Sequence, residues 1–168
     1  MIFDKALEVE LRKLTMGSTL GFSKFFELNE KFIAYMKKEF SKKLIFDVGA
    51  GAGHVTDILR DKGMKMIALD VHQHTCPEIK DVIMADGVAF NYAPKSVVMV
   101  CRPCHGMFAE QVIERAIECK ASTVLYVGLH RNVADDLDKY LPKFKEVAKK
   151  VGNDGESIWR MDLGKKAQ

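Results

Sequence analysis

The segment that most constrains the fold of this chain runs from Leu44 to Asp70 and reads LIFDVGAGAGHVTDILRDKGMKMIALD. An apolar run ends at Val48, and three glycines follow at alternate positions: Gly49, Gly51 and Gly53. Apolar spacing then predicts a helix over 54–62, with Gly63 at its C-terminus. Because glycine lacks a Cβ, a tight strand-to-helix turn of this kind lets bare backbone approach a ligand at the helix N-terminus. The segment therefore predicts a ligand-binding strand–helix–strand unit.

Short apolar runs alternate with helical patterns along the rest of the chain. The spacing predicts strands at 44–48, 66–70, 81–85, 96–101 and 122–127, and helices at 54–62, 87–92, 107–120 and 133–140. The strand runs show little polar alternation, which is typical of strands covered on both faces. Strand, helix and strand in repeated order imply right-handed crossovers. We predict an α/β, Rossmann-like, doubly wound sheet that is mainly parallel.

The two ends of the chain carry different patterns. Residues 1–42 have helical periodicity and form a predicted helical prefix, in which Ser23 is a candidate N-cap for the second helix. Residues 156–163 resemble a strand, and we predict an antiparallel C-terminal hairpin that turns at 153–155. The sheet would then have about seven strands in one domain, residues 1–168, and the prefix would close over the bound ligands.

Composition and charge exclude several classes of protein. The chain is 48% apolar and 29% charged, which is ordinary for a globular protein with a packed core. Its net charge of +3 permits an anionic partner but lacks the clustered basicity of a dedicated nucleic-acid module. The apolar runs are too short to cross a membrane, and charged residues near the start do not fit a secretory signal. We expect a cytoplasmic protein with reduced thiols and no membrane partner.

Three acidic residues end three successive predicted strands: Asp47, Asp70 and Asp86. In a doubly wound sheet the carboxyl ends of the strands border the ligand crevice, and a carboxylate after the second strand can accept two hydrogen bonds from a ribose diol. A phosphate-binding loop of the Walker type is excluded, since no Gly-Lys-Ser/Thr follows the glycines. The pattern predicts a nucleoside ligand at this edge.

The stretch from Asp47 to Gly53, DVGAGAG, resembles motif I of the class I S-adenosylmethionine-dependent methyltransferases, and the resemblance covers roughly residues 43–130. It implies S-adenosylmethionine as cofactor and a methyl acceptor that is RNA, protein or a small molecule. The sulfonium and ammonium of this cofactor suit a carboxylate-rich site, whereas the pyrophosphate of NAD would be repelled. The residues that the resemblance assigns to the cofactor are Asp47, Gly49, Ala50, Gly51, Gly53, Asp70, Val71, Asp86, Gly87 and Cys101, with Asp86 beside the adenine.

The fourth predicted strand delivers residues 101–106, CRPCHG, to the same crevice. Methyl transfer is an in-line displacement, so the protein supplies orientation and, where needed, a base. His105 is the candidate base, and Arg102 either holds an anionic substrate group or lies over the sheet edge. Cys101 is alternatively a core thiol. Methyltransferases that act on exocyclic amines usually have N/D-P-P-Y/F here, and the departure leaves oxygen, sulfur, carbon and other nitrogen acceptors open.

Two alternatives to an active methyltransferase stay open. One is a regulatory protein that binds S-adenosylmethionine without catalysis. The other is a Rossmann-like protein with a tetrahedral metal site, for which imidazole and thiolate ligands are available at the predicted strand ends. The candidate metal ligands are His72, His74, Cys76, Cys101, Cys104 and His105. They lack the paired spacing of a zinc ribbon, so we predict no metal.

Overall fold

A computed structural model describes residues 26–72, 81–103, 106–129 and 137–164. The helices are α1 (Glu30–Phe40), α2 (His54–Asp61) and α3 (Phe108–Glu118), with short 3-10 helices at Leu137–Lys139 and Leu141–Lys143. The strands are β1 (Leu44–Val48), β2 (Lys65–Asp70), β3 (Val82–Met84), β4 (Val97–Cys101), β5 (Thr123–Gly128), β6 (Lys145–Ala148) and β7 (Ser157–Asp162). The five strands predicted before the hairpin are confirmed, each within two residues at either end.

The strands form one seven-stranded sheet in the order β3-β2-β1-β4-β5-β7-β6. Strands β1 to β5 are mutually parallel, and β7 is antiparallel to both β5 and β6. The dinucleotide-binding Rossmann order is 3-2-1-4-5-6. This sheet differs in that β7 is inserted between β5 and β6. The predicted mainly parallel sheet with an antiparallel C-terminal hairpin is confirmed.

Helices cover both faces of the sheet. On one face, α1 and α2 pack Phe32, Met36 and Leu59 against side chains of β1, β4 and β5, and all three are inaccessible to solvent. On the other face, α3 buries Val112 and Ile113 against the same central strands. Every residue of β5 is buried. The unbroken apolar runs in the sequence thus reflect strands that are covered on both sides.

The second helix of the prefix begins later than predicted. Asn29 is its N-cap, and the Asn29 side chain accepts hydrogen bonds from the backbone N–H groups of Lys31 and Phe32 at 3.0 and 3.4 Å. An asparagine at this position satisfies two amides that the helix itself leaves without partners. Ser23 and the first part of the prefix lie outside the described residues.

The predicted short helix at 87–92 is wrong. This segment is a turn at 87–89 followed by chain without regular secondary structure. The Tyr92 hydroxyl donates a 2.5 Å hydrogen bond to the Gly87 carbonyl, and the Tyr92 ring packs against Phe46. Tertiary packing of one aromatic residue therefore outweighs a weak helical pattern. Of the predicted helix at 133–140, the structure describes only Leu137–Lys139 and the residue after it.

The hairpin brings its turn to the same edge of the sheet as the glycine-rich turn. Ser157, at the start of β7, pairs with Gly128 at the carboxyl end of β5. Residues 152–155 form the turn, with the Gly155 N–H donating to the Gly152 carbonyl at 3.2 Å. Leu28, just before α1, forms an isolated antiparallel bridge with Gly152. The carboxyl edge of the parallel strands is thus bordered by the hairpin turn and by the segment before α1.

Candidate functional site

The glycine-rich turn after β1 directs its amides towards β2. Gly49, Gly51 and Gly53 all have positive φ, at 71°, 59° and 87°. The N–H groups of Gly49 and Ala50 both donate to the Leu69 carbonyl at 2.9 Å, and the Gly51 N–H donates to Asp70 Oδ2 at 2.8 Å. Turns that bind phosphate present such amides to the anion. Here the amides of Gly49, Ala50 and Gly51 are instead bonded within the protein.

Space for a ligand lies above Gly51. A Cβ built at Gly51 would have no described heavy atom within 4 Å, whereas one at Gly49 would lie 3.3 Å from the Phe108 ring. The side-chain position of Gly51 therefore opens outward, and that of Gly49 faces α3. A side chain at Gly51 would project into this open space and would also be strained by the left-handed backbone.

Asp70 ends β2 and is 8% exposed. Its Oδ1 accepts a hydrogen bond from the His72 N–H at 2.9 Å, and its Oδ2 accepts the bond from Gly51. These two bonds fix the orientation of the carboxylate at the strand end. In doubly wound sheets, a carboxylate at this strand end is the group that accepts hydrogen bonds from a ribose diol. Val71, predicted to contact the cofactor, follows it and is half exposed.

Asp47 lies inside β1 and is only 2% exposed. The Thr56 hydroxyl on α2 donates a 2.8 Å hydrogen bond to Asp47 Oδ2. The pKa of the Asp47 carboxyl is raised to about 6, chiefly by burial; the Thr56 hydrogen bond lowers the pKa and the nearby Asp70 charge raises it. Sequence reasoning missed Thr56. The available signal was a polar residue on the buried face of α2, between Val55 and Leu59.

Asp86 and Gly87 follow β3. Asp86 is exposed, and its Oδ1 accepts a hydrogen bond from the Val88 N–H at 2.9 Å. Gly87 is buried, and a Cβ there would lie 2.2 Å from the Val48 side chain, so only glycine allows this loop to reach the end of β1. The contacts of Gly87 among the described residues are thus packing contacts. They hold Asp86 at the same edge as Asp47 and Asp70.

The end of β4 is tied to the hairpin turn. Arg102 has a φ of 44°, and its guanidinium forms ion pairs with Asp154 at 3.0 Å and with the buried Glu156 at 3.3 Å. The sequence predicts that Arg102 holds an anionic substrate group or lies over the sheet edge, and neither prediction includes these ion pairs. Sequence reasoning missed both acidic partners, because nothing in a turn sequence indicates which distant side chain it will face. His105, the candidate base, lies outside the described residues.

Cys101 is partly buried at the end of β4, and burial raises the pKa of its thiol well above the ordinary value. Cysteine binds metals as the thiolate, and Cys101 is instead held as the neutral thiol. Among the residues that the structure describes, no group of three or more His, Cys, Asp or Glu side chains could hold a metal ion. Of the other candidate ligands, His72 is described, whereas His74, Cys76, Cys104 and His105 are not.

No helix in the described ranges is long and apolar enough to cross a membrane.

Comparison with known proteins gives structural matches alone. No family model and no curated protein sequence matches the chain. Magnesium protoporphyrin IX methyltransferase from Synechocystis PCC 6803, solved with bound S-adenosylmethionine, has a TM-score of 0.62 at 12% identity over 96% of this chain and 93% of that one. Ribosomal protein L11 methylase from Lactobacillus delbrueckii has a TM-score of 0.57 at 13% identity over 79% and 77%.

A third match is the 1,6-didemethyltoxoflavin-N1-methyltransferase of Burkholderia thailandensis, solved with its substrate and S-adenosylhomocysteine. Its TM-score is 0.56 at 11% identity, over 80% of this chain and 77% of that one. At these identities the likeness concerns the fold. The chain has the Rossmann-like fold of the class I S-adenosylmethionine-dependent methyltransferases.

Proposed function

We propose that the protein is an S-adenosylmethionine-dependent methyltransferase. The observation that carries the proposal is the combination of Asp47 and Asp70 at neighbouring strand ends with a glycine turn whose amides are bonded to β2. Such a site is negative, and the amides of Gly49, Ala50 and Gly51 in its turn are already bonded within the protein. It fits a nucleoside cofactor whose other end is a cationic sulfonium and ammonium, and it does not fit a pyrophosphate.

Each acidic residue has a separate role in this proposal. Asp70 would accept hydrogen bonds from the ribose hydroxyls, since its carboxylate ends β2 beside the glycine-rich turn, where doubly wound sheets bind a ribose diol. Asp86 would meet the exocyclic amine of the adenine, and Asp47 would provide negative charge beneath the turn. The bound cofactor supplies an electrophilic methyl group on sulfur. The protein's part is to orient the acceptor in line with that group and to exclude water.

The structural relatives support the reaction type and leave the acceptor open. Their names give a porphyrin, a ribosomal protein and a toxoflavin precursor as substrates, so this fold carries methyl transfer to chemically different acceptors. His105 stays the predicted base, and the cytoplasmic location stays a prediction.

Cofactor binding tests the proposal directly. Titration calorimetry with S-adenosylmethionine and S-adenosylhomocysteine should detect binding to the wild type, and Asp70→Ala should weaken both affinities about tenfold or more, because a charged hydrogen-bond acceptor contributes roughly 1.5–3 kcal/mol. Asp61→Asn is the matched control, since Asp61 is exposed at the far end of α2. Unchanged affinity in Asp70→Ala would show that the site assignment is wrong.

A transfer assay separates the enzyme from a protein that only binds the cofactor. The protein is incubated with methyl-labelled S-adenosylmethionine and with fractionated cell RNA, protein and small molecules. We expect label in one fraction, and we expect it to fall in parallel with cofactor affinity in Asp70→Ala. Tight cofactor binding with no transfer into any fraction would instead favour the regulatory alternative.

A further inference from the structure

A cleft of about 420 Å³ lies beside the N-terminal turn of α2. Its walls come from the segment before α1, from the first residues of α2 and from Asn153 in the hairpin turn. His54, which borders the cleft, directly follows Gly53 of the glycine-rich turn. The cleft therefore adjoins the proposed cofactor site, and its volume falls within the range of about 300–1,000 Å³ that is usual for small-molecule sites.

Hydrogen bonds join two of the three walls of the cleft, the segment before α1 and the hairpin turn. The Asn153 N–H donates to the Glu27 carbonyl at 3.1 Å, and the Asn153 side-chain amide donates to Glu27 Oε2 at 2.5 Å. The Asn29 N–H donates to the Val151 carbonyl at 2.9 Å. Phe26, at the start of this segment, is buried. This side of the cleft is thus fixed before a ligand binds, which lowers the conformational cost of binding.

The charge of the cleft is negative. Its lining includes the carboxylates of Glu27 and Asp57 and the imidazole of His54, which counts as neutral in the formal charge at pH 7, and it includes no Lys or Arg among the described residues. The amide of Asn153 satisfies one Glu27 oxygen without neutralising its charge. Arg102, the cation at the neighbouring end of β4, is already paired with two carboxylates, Asp154 and Glu156. An anionic ligand would meet repulsion here, and a cationic ligand would be attracted.

The remainder of the lining is apolar. Leu28 and Phe26 form one side, and Val55 and Ile58 of α2 form the other. Ile58 is 38% exposed, although a large aliphatic side chain is more often buried. A ligand that fits both halves has an apolar body that covers these side chains and a positively charged head that reaches the carboxylates.

We propose that this cleft binds the methyl acceptor and that the acceptor is an amphipathic amine, protonated in solution. The inference rests on the proposed methyltransferase function. The ammonium gives one proton to the Asp57 carboxylate, which passes it to solvent, and the freed nitrogen lone pair forms a bond to the methyl carbon. The methyl–sulfur bond breaks and its electron pair stays on sulfur. The products are the methylated ammonium, the thioether S-adenosylhomocysteine and one proton.

The test compares three ligands of one shape that differ in charge. Phenethylamine, 2-phenylethanol and 3-phenylpropionate are titrated by NMR into the protein saturated with S-adenosylhomocysteine. We expect phenethylamine to bind at least tenfold more tightly than 3-phenylpropionate, with 2-phenylethanol between them. Asp57→Asn and Glu27→Gln should each weaken phenethylamine binding several-fold, and Asp61→Asn, on the same helix and outside the cleft, should leave it unchanged.

Several results would overturn the inference. One is that 3-phenylpropionate binds as tightly as phenethylamine or more tightly, and another is that a single-stranded oligoribonucleotide binds more tightly than phenethylamine. A third is that Asp57→Asn and Glu27→Gln leave the phenethylamine affinity unchanged. The fourth is competition between phenethylamine and S-adenosylhomocysteine. The last would assign the cleft to the cofactor. Calorimetry with S-adenosylhomocysteine alone keeps the two proposals distinct, because cofactor affinity should be intact in Asp57→Asn even where the amine preference is lost.

Discussion

At the scale of single residues, Asp47 carries the sharpest dependence on pH. Its folded-state pKa is about 6, against an ordinary value of 3.8, because burial disfavours the charged form. A carboxyl with a raised pKa stabilises the folded protein most when it is protonated, so its contribution is complete below about pH 4 and is lost as the pH rises to about 6. The wild type should therefore lose stability over that range relative to a variant that cannot ionise.

Asp47→Asn tests this expectation. Asparagine keeps an oxygen that accepts the Thr56 hydrogen bond but never becomes charged. Between about pH 4 and pH 7, we expect its free energy of unfolding to rise relative to the wild type by as much as about 3 kcal/mol, measured by urea denaturation. Thr56→Val should move the pH range upward, since the Thr56 bond lowers the pKa. A difference that does not vary with pH would contradict the assignment.

For single residues, the sequence predicts the position in the fold better than it predicts the side chain's hydrogen-bond and ion-pair partners. Asp47, Asp70 and Asp86 were placed correctly at one edge because strand ends and turns follow from local patterns. The bonds that give Arg102 its surroundings join it to residues 52 and 54 positions away. Such pairings depend on the register of a hairpin against the sheet, and no local pattern carries that information.

At the scale of elements, the hairpin and the end of β4 are joined by two ion pairs of unequal burial. The Glu156 side chain is 1% exposed and that of Asp154 is 69% exposed, although both contact the same Arg102 nitrogen. An exposed pair contributes less than about 1 kcal/mol because water screens it. Replacing a carboxylate that is buried beside a partly exposed arginine lowers the free energy of unfolding by a larger amount.

Two matched variants measure this difference. We expect Glu156→Gln to lower the free energy of unfolding by about 2 kcal/mol and Asp154→Asn by less than about 1 kcal/mol, in urea titrations at pH 7. Equal losses in the two variants would mean that burial does not control the strength of this contact between elements.

The elements themselves were largely predictable. Strands β1, β4 and β5 are short, apolar and flanked by turn residues, so their positions follow from the local sequence pattern. The error at 87–92 arose where the chain is fixed by the Tyr92 ring and its bond to Gly87 rather than by backbone propensity. The position of β7 between β5 and β6 is not predictable from the sequence pattern. The pattern indicates that the last two strands pair with each other, but it does not indicate which of them also pairs with β5.

At the scale of the whole molecule, the net charge of +3 is unevenly distributed. Exposed lysines precede the parallel strands at the amino edge: Lys43 before β1, Lys65 at the start of β2, Lys95 before β4 and Lys120 before β5. The carboxyl edge instead carries Asp47, Asp70 and Asp86, with Glu27 and Asp57 at the neighbouring cleft. Arg102 at this edge is paired with two carboxylates, so the described part of the edge is negative although the chain is basic on average.

Salt should therefore affect the two forms of the cofactor differently. S-adenosylmethionine carries one more positive charge than S-adenosylhomocysteine. Raising NaCl from about 0.05 to about 0.5 M shortens the screening length to a few ångströms and should weaken binding of the sulfonium form several-fold more than that of the thioether. Calorimetry with both ligands at both salt concentrations measures this ratio. A ratio that is independent of salt would contradict the proposed electrostatic selection.

The inserted strand β7 also determines the order in which the sheet can be assembled. Among the described strands, β6 pairs with β7 alone, and β7 pairs with β5, so β6 joins the sheet through residues that are synthesised after it. The two strands must join each other first, or β7 must join β5 first. Completion of this side of the sheet must therefore wait until β7 has been synthesised, and until then the edge of β5 is exposed to other strands.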